Sequence, residues 1–184
     1  MKPNMICVIY VDDTIFAGPS AKDIDNEVKL LGTKQNSEDK VFEFRDGGEV
    51  SAFLGIKTKR ASQSEFYLSQ PGLISKVLKA AGMTNCNPNT TLDPLLGLDV
   101  ERKYFNEKWE YVSVIGILMY LANNTRPDIA HAVHACANYS HNPKQTHTTT
   151  VKHISRYLKG TENKGMVIKP NRIDAFHRKR VFSP

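Results

Sequence analysis

Two adjacent acids, Asp12 and Asp13, stand between two apolar, β-prone runs, Ile6 to Val11 and Thr14 to Ala17, and Gly18 closes the stretch. The pattern predicts a β-hairpin with a carboxylate pair at its tip. Neighbouring side chains of a straight strand point to opposite faces, so adjacent acids cannot easily serve one site there. At a tight turn the alternation breaks, and both carboxylates can approach one point. Hard divalent cations take oxygen ligands, and Mg²⁺ is often held by one or two carboxylates together with substrate phosphates. A pair of such ions can clamp the attacking and leaving oxygens of a phosphoryl transfer. Asp is also an ordinary turn residue, because its side chain hydrogen-bonds nearby backbone. The pair alone therefore leaves a purely structural turn open.

Cations are the second feature with chemical consequence. The chain carries a formal net charge of +6, unevenly placed. Residues 144–184 hold 10 Lys and Arg against 2 acids, whereas residues 1–143 hold 15 against 17. A local basic field favours a polyanion partner, although a solvated face has the same composition. Within this segment Lys152, Arg156 and Lys159 are spaced 4 and 3 apart and share one helix face, a line suited to tracking phosphates. Lys57, Lys59 and Arg60 are a weaker cluster. Five histidines lie between His131 and His153, but cysteine pairs at zinc-site spacing are missing, so metal binding there is not expected. No phosphate-cradling glycine motif occurs either.

The elements that must position these residues follow from periodicity. Ser20 to about Asn36 reads as a helix with an S-x-x-D cap and a stripe of Ile24, Val28 and Leu31. Val41 to Arg45, Val50 to Lys59 and Glu65 to Leu68 read as strands. Gly55, inside the second of these, fits a close backbone approach or a plain bulge. Pro71 to Ala81 reads as a helix ended by Gly82. Residues 86–106, rich in Asn and Pro, read as a connection. Trp109 to Asn123 is apolar nearly all round, the mark of a buried helix. Thr125 is expected to cap the next helix, with Pro127 in its first turn and Asp128 at N3. Asn142 and Pro143 are expected to start a helix that runs to Lys159, with Val151, Ile154 and Leu158 inward and Gly160 just past its end. Lys164 to Lys169 reads as a short strand.

The 184 residues suit one compact domain or two small ones. No run of 18 apolar residues suggests a membrane span, and no cleavage-site pattern suggests a signal peptide. Cys7, Cys86 and Cys136 are odd in number and widely spaced, which favours free thiols in a reducing compartment.

Tyr10-Val11-Asp12-Asp13 resembles the YxDD motif of reverse transcriptases, and more narrowly the copia-type (Pseudoviridae-like) retrotransposon polymerase. Phe53-Leu54-Gly55-Ile56, Leu68-Ser69-Gln70, Gly82-Met83 to Cys86-Asn87-Pro88, Val114 to Leu121, Thr125 to Ile129 and Arg156 to Thr161 are similar to further copia-type signatures in the expected order. The resemblance covers roughly Ile6 to Lys169. It implies an α+β chain: a partial antiparallel polymerase palm over residues 1–85, a connecting segment over 86–106, a mainly helical thumb/connection-like region over 107–170 and a divergent basic tail over 171–184.

The activity it implies is RNA-directed DNA polymerisation, a metal-dependent nucleotidyl transfer. Asp12 and Asp13 would be catalytic and hold Mg²⁺ (or Mn²⁺), with two ions in the complete enzyme. Tyr10 and Val11 would lie against the primer end or incoming nucleotide. Phe53, Leu54 and Gly55 would seat the primer, and Lys152, Arg156 and Lys159 would meet the nucleic-acid backbone. The implied partners are an RNA template/DNA primer duplex, a dNTP and the remainder of a polyprotein, with no membrane. The implied location is cytoplasmic, in a virus-like particle, with the nucleus as the alternative. The family has a further catalytic Asp and fingers upstream, which this sequence does not contain, and an RNase H domain where the tail diverges. The chain is therefore expected to be a fragment inactive by itself, cut or frameshifted. The alternatives are a non-catalytic nucleic-acid-binding remnant or a pseudogene product.

Overall fold

The computed structural model describes residues 5–11, 13–18, 20–32, 45–46, 50–62, 65–92, 107–169 and 177–182. It is a mixed α+β chain that divides into two compact units. The first comprises residues 1–54, 58–66 and 169–184, and the second residues 55–57 and 67–168.

In the first unit, β1 (Ile6–Tyr10) and β2 (Asp13–Gly18) form the expected antiparallel hairpin, with Ile6 opposite Ala17 and Tyr10 opposite Asp13. Alternation along β2 buries Thr14, Phe16 and Gly18 and leaves Asp13, Ile15 and Ala17 on the other face. Helix α1 (Ala21–Gly32) follows, and the Ser20 hydroxyl accepts the Asp23 N–H at 3.4 Å, the cap foreseen from S-x-x-D. Ile24 packs on Phe16, with Met5 and Val28 at the margin. The rest of the expected helix, to Asn36, lies outside the described residues, as does most of the Val41–Arg45 strand. Its neighbour β3 (Arg45–Asp46) is described.

Residues 177–182, foreseen as part of a divergent tail, form β8 (His177–Phe182). Strand β8 pairs antiparallel with β2 and with β3, giving a sheet in the order β1-β2-β8-β3. Backbone pairing set by a distant strand leaves no local signature, which is why a run of four basic or imidazole side chains did not read as a strand.

Val50 to Lys59 is not one strand. It is a hairpin of β4 (Ala52–Phe53) and β5 (Ile56–Arg60), reversed by Leu54 at φ 50° and Gly55 at φ 76°. Two successive positive φ angles define a type I′ turn, for which glycine is favoured. An added Cβ at Gly55 would meet nothing within 4 Å, so left-handed backbone, not close approach, explains this glycine. Strand β6 (Phe66–Ser69) follows, and β4, β5, β6 and β7 (Met166–Ile168) are hydrogen-bonded in that order.

The second unit is mainly helical. Helix α2 (Pro71–Ala80) carries Pro in its first turn and ends as expected: Gly82 at φ 65° donates its N–H to Lys79 C=O, and Met83 donates to Leu78 C=O. That is a Schellman closure, with Met83 and Leu78 both buried. Helices α3 (Tyr111–Asn124), α4 (Ala130–Ala137) and α5 (Gln145–Gly160) share one core with α2. Its centre includes Val77, Leu118, Val133 and Ile154, all fully buried. Burying each such side chain contributes about 1.5–3 kcal/mol. Helix α3 is not buried all round, since Val112, Gly116 and Tyr120 face outward at i, i+4 and i+8.

Three expected termini shift. Thr125 closes α3, its N–H on Leu121 C=O, and its hydroxyl donates to Gln70 Oε1 at 2.8 Å. It does not cap the following turn, a 3₁₀ stretch over Pro127–Ile129. Lys144, not Asn142, precedes α5, and its N–H donates to His147 Nδ1 at 2.9 Å. Gly160 ends α5 inside the helix. Its missing side chain makes room for the backbone of Asn89, whose N–H donates to Arg156 C=O at 3.0 Å. Of the expected connection, residues 93–106 lie outside the described residues.

Candidate functional site

At the hairpin tip the chain reverses between Tyr10 and Asp13, the last register pair of β1 and β2. Val11 sits in this turn at φ 50° and is 79% exposed. A β-branched residue in the left-handed region is a steric outlier. Such a conformation costs about 1–3 kcal/mol and tends to mark functional turns. Tyr10 is 56% exposed, so its ring is presented to solvent beside the turn. Asp13 opens β2 half-buried, on the face turned away from α1. Asp12 lies outside the described residues. A carboxylate is the right donor for Mg²⁺ or Mn²⁺. Among the described residues no group of three or more His, Cys, Asp or Glu could hold a metal ion.

The Phe53-Leu54-Gly55 segment forms the turn end of the β4–β5 hairpin, with Phe53 and Leu54 half-buried and Gly55 exposed. Thr58 N–H donates to Ser51 C=O at 2.8 Å and closes it. Lys57, Lys59 and Arg60 are exposed, and the Arg60 guanidinium lies 5.8 Å from the centre of the Phe66 ring.

The three cations expected along α5 stand in different states. Lys152 Nζ reaches Glu107 Oε1 at 2.6 Å. That hydrogen bond, with help from Gln145 and the lysine charge, holds the Glu107 carboxyl below its usual range despite partial burial. Lys159 Nζ donates to the carbonyls of Thr84 and Cys86 at 2.7 and 2.8 Å, fastening the segment after α2 to the end of α5. Arg156 is exposed. The hairpin tip belongs to the first unit and these cations to the second.

Sequence reasoning missed a buried polar knot. Arg126 is 1% exposed. Its Nε and Nη2 grip both oxygens of Asp128 at 3.0 and 2.9 Å, and Nη1 and Nη2 donate to the carbonyl and hydroxyl of Thr161 at 3.2 and 2.7 Å. Tyr157 donates its hydroxyl to Asp128 Oδ2 at 2.7 Å and lays its ring 5.3 Å from the guanidinium. The Arg-Pro-Asp spacing was visible, but the partners on α5 were not. His147 is likewise structural: fully buried and stacked on Tyr139 at 3.9 Å. All three cysteines are free thiols. Burial pushes the Cys136 thiol up to about 11, so it stays protonated at neutral pH.

Comparison with known proteins gives the chain's family. The profile of the family described as "Reverse transcriptase (RNA-dependent DNA polymerase)" matches residues 1–96, more than half of the chain. The chain belongs to the reverse transcriptase family. The retrovirus-related Pol polyprotein from transposon TNT 1-94 of Nicotiana tabacum is 38% identical over 168 residues, covering 85% of this chain and 12% of that protein. The Pol polyprotein from transposon RE1 of Arabidopsis thaliana is 34% identical over 179 residues, 96% of this chain and again 12% of the relative. An uncharacterized mitochondrial protein of Arabidopsis thaliana is 33% identical over 168 residues, 91% of this chain and 66% of its own length. The transposon relatives agree with the copia-type resemblance of the motifs. This reverse transcriptase chain thus spans about an eighth of the Pol polyproteins it matches. No solved structure matches it.

Proposed function

We propose that the chain is the C-terminal palm and thumb/connection portion of a copia-type reverse transcriptase. The whole enzyme would transfer a nucleotide from a dNTP to a primer 3′-hydroxyl on an RNA template. The observation that carries this reading is the Tyr10-Val11-Asp12-Asp13 turn, closed by the Tyr10–Asp13 pair within the region matched by the family profile. Asp12 and Asp13 would hold Mg²⁺ or Mn²⁺, and the carboxylate donor type fits those ions. When bound, the ions would stabilise charge on the transferring phosphate. Tyr10 and Val11 would border the primer end, and Phe53, Leu54 and Gly55 would seat the primer. Lys152, Arg156 and Lys159 would lie near the duplex backbone. The parent element would carry out this chemistry in the cytoplasm.

One acidic turn does not complete such a site, so the 184-residue chain is proposed to be inactive alone. A primer-extension assay with the purified chain, Mg²⁺ and an RNA template should give no product. Extension that disappears in Asp13→Asn would show the chain to be active by itself.

A second reading, a nucleic-acid-binding remnant without chemistry, is favoured by the 10 Lys and Arg against 2 acids in residues 144–184. It predicts salt-dependent duplex binding that Asp13→Asn does not weaken.

A further inference from the structure

Strand β1 stands at one end of the first sheet and, among the described strands, pairs with β2 alone. Its five residues, Ile6-Cys7-Val8-Ile9-Tyr10, are all exposed. Directly opposed residues of an antiparallel pair share a sheet face. Ile6, Val8 and Tyr10 therefore lie on the face of Ala17, Ile15 and Asp13, away from α1. Cys7 and Ile9 lie on the other face, opposite Phe16 and Thr14. There Ile24 packs on Phe16, yet Ile9 stays 70% exposed, so α1 shelters β2 and not β1. Tyr10 and Asp13 oppose each other across a two-residue loop, which makes them a hydrogen-bonded pair. Pair types alternate along an antiparallel ladder, so Ile6 and Val8 also turn their backbone groups to β2, and Cys7 and Ile9 turn theirs outward. Exposed edges are usually blunted by Lys, Pro or a bulge. Strand β1 has no charge and no proline, and its register with β2 is unbroken from Ile6 to Tyr10.

We propose that β1 is a self-association edge that pairs antiparallel with β1 of a second copy of this chain, about a two-fold axis at Val8. The strand is self-complementary in that register. Val8 faces the second copy's Val8, Cys7 faces Ile9, and Ile6 faces Tyr10. The outward backbone groups of Cys7 and Ile9 then meet their own counterparts and exchange hydrogen bonds. Every pair is free of charge, and each end joins an aromatic to a β-branched side chain, a favourable cross-strand combination. A second copy thus brings none of the chain's +6 charge to the seam on this strand. The contact is isologous, so pairing uses up both edges and closes at the dimer. Five residues a side fall short of the roughly 1,600 Å² of a standard interface, so the dimer belongs at the weak, micromolar end of affinity. The inference is independent of the catalytic reading.

The test is sedimentation velocity of the full chain over a concentration series, where monomer should give way to dimer in the micromolar range. Val8→Lys sets two ammonium groups against each other at the axis and should weaken the dimer more than about tenfold. In Cys7→Ser/Val8→Cys the introduced thiols meet at a non-hydrogen-bonded pair, where side chains come closest, and mild oxidation should join two chains through them. A parent chain that stays monomeric to about 100 μM, a hundredfold above micromolar affinity, leaves this edge to another polypeptide and overturns the proposal. Open-ended growth beyond the dimer overturns it too. A dimer that keeps its parental strength in Val8→Lys, folded by circular dichroism, lies on another surface and overturns it as well. If Val8→Lys unfolds, the oxidised cysteine variant decides: linked dimers support the edge, and unlinked chains overturn it.

Discussion

Arg126 holds Asp128, two residues along, in a fork of two hydrogen bonds at 3.0 and 2.9 Å, and the same guanidinium reaches Thr161 at the end of α5. Pro127 between them begins the 3₁₀ turn that brings the two side chains to one side. The knot ties the α3–α4 joint to the last turn of α5. Arg126→Ala would remove the fork from Asp128, leaving it the Tyr157 hydroxyl, and would take one donor from the Thr161 carbonyl, which keeps the Lys164 N–H, so it should destabilise the helical unit by about 1–3 kcal/mol. Arg126→Lys should not restore it, because an ammonium cannot reproduce the planar fork. Urea denaturation followed by fluorescence of Trp109, the one tryptophan of the chain, reads this unit. Wild-type midpoints for both variants would disprove the role.

The same knot predicts an acid limb. Partial burial would raise the Asp128 carboxyl, but hydrogen bonds from Arg126 and Tyr157 and the Arg126 charge outweigh it and set the group below its ordinary value. A carboxyl lowered by folding contributes stability that is fully present above its unfolded value, about 3.9, and lost as pH falls through the folded value. The Trp109 midpoint should therefore decline from near pH 4 downward. Asp128→Asn should start lower and flatten that decline, whereas an equally steep decline in the variant would exclude Asp128 as its source.

Gly160→Ala should destabilise, against helix propensity. In an open helix the change is worth about 1 kcal/mol of stabilisation. Here the new Cβ would sit 2.7 Å from the carbonyl carbon of Asn89, and backbone must move. A loss of about 1–3 kcal/mol is expected, the usual range for overpacking. Gly116→Ala, where nothing lies within 4 Å of the added Cβ on exposed α3, should instead stabilise. The comparison of the two denaturation midpoints checks the sign.

Val11→Gly should cost little or nothing, unlike glycine elsewhere in the hairpin. A left-handed L-residue carries about 1–2 kcal/mol of steric cost, while glycine adds about 0.5–1 kcal/mol of chain entropy. The two nearly cancel at φ 50°. Val8→Gly, within β1, has no such relief and should weaken the hairpin. Amide exchange across β1 and β2 separates the cases. Faster exchange in Val11→Gly than in Val8→Gly would refute the assigned strain.

Local order was legible before folding wherever the cause was local. The S-x-x-D cap at Ser20, the Schellman closure at Gly82 and the hairpin around Asp12 and Asp13 each follow from a few neighbouring residues, because hydrogen-bonding side chains, left-handed glycine and strand alternation act within one turn of chain. The same holds for the core stripe of Val151, Ile154 and Leu158, set by helical periodicity. The family signatures were equally readable, since they are residue identities at fixed spacing.

What depended on partners far along the chain was not legible. Nothing near His177 states that it will pair with Gly18, because a ladder bond is made by backbone groups common to all residues. Gly160 looked like a helix end and proved to be a clearance for Asn89. Lys152 and Lys159 looked like one cationic line, and folding gave the first to Glu107 and the second to the carbonyls of Thr84 and Cys86. The sequence by itself determined most of the helices, the acidic turn and the family. Only the tertiary structure decided which charges are spent on holding the fold, and that the basic end of the chain joins the sheet of the acidic turn, because ion pairing and strand pairing select by position in space.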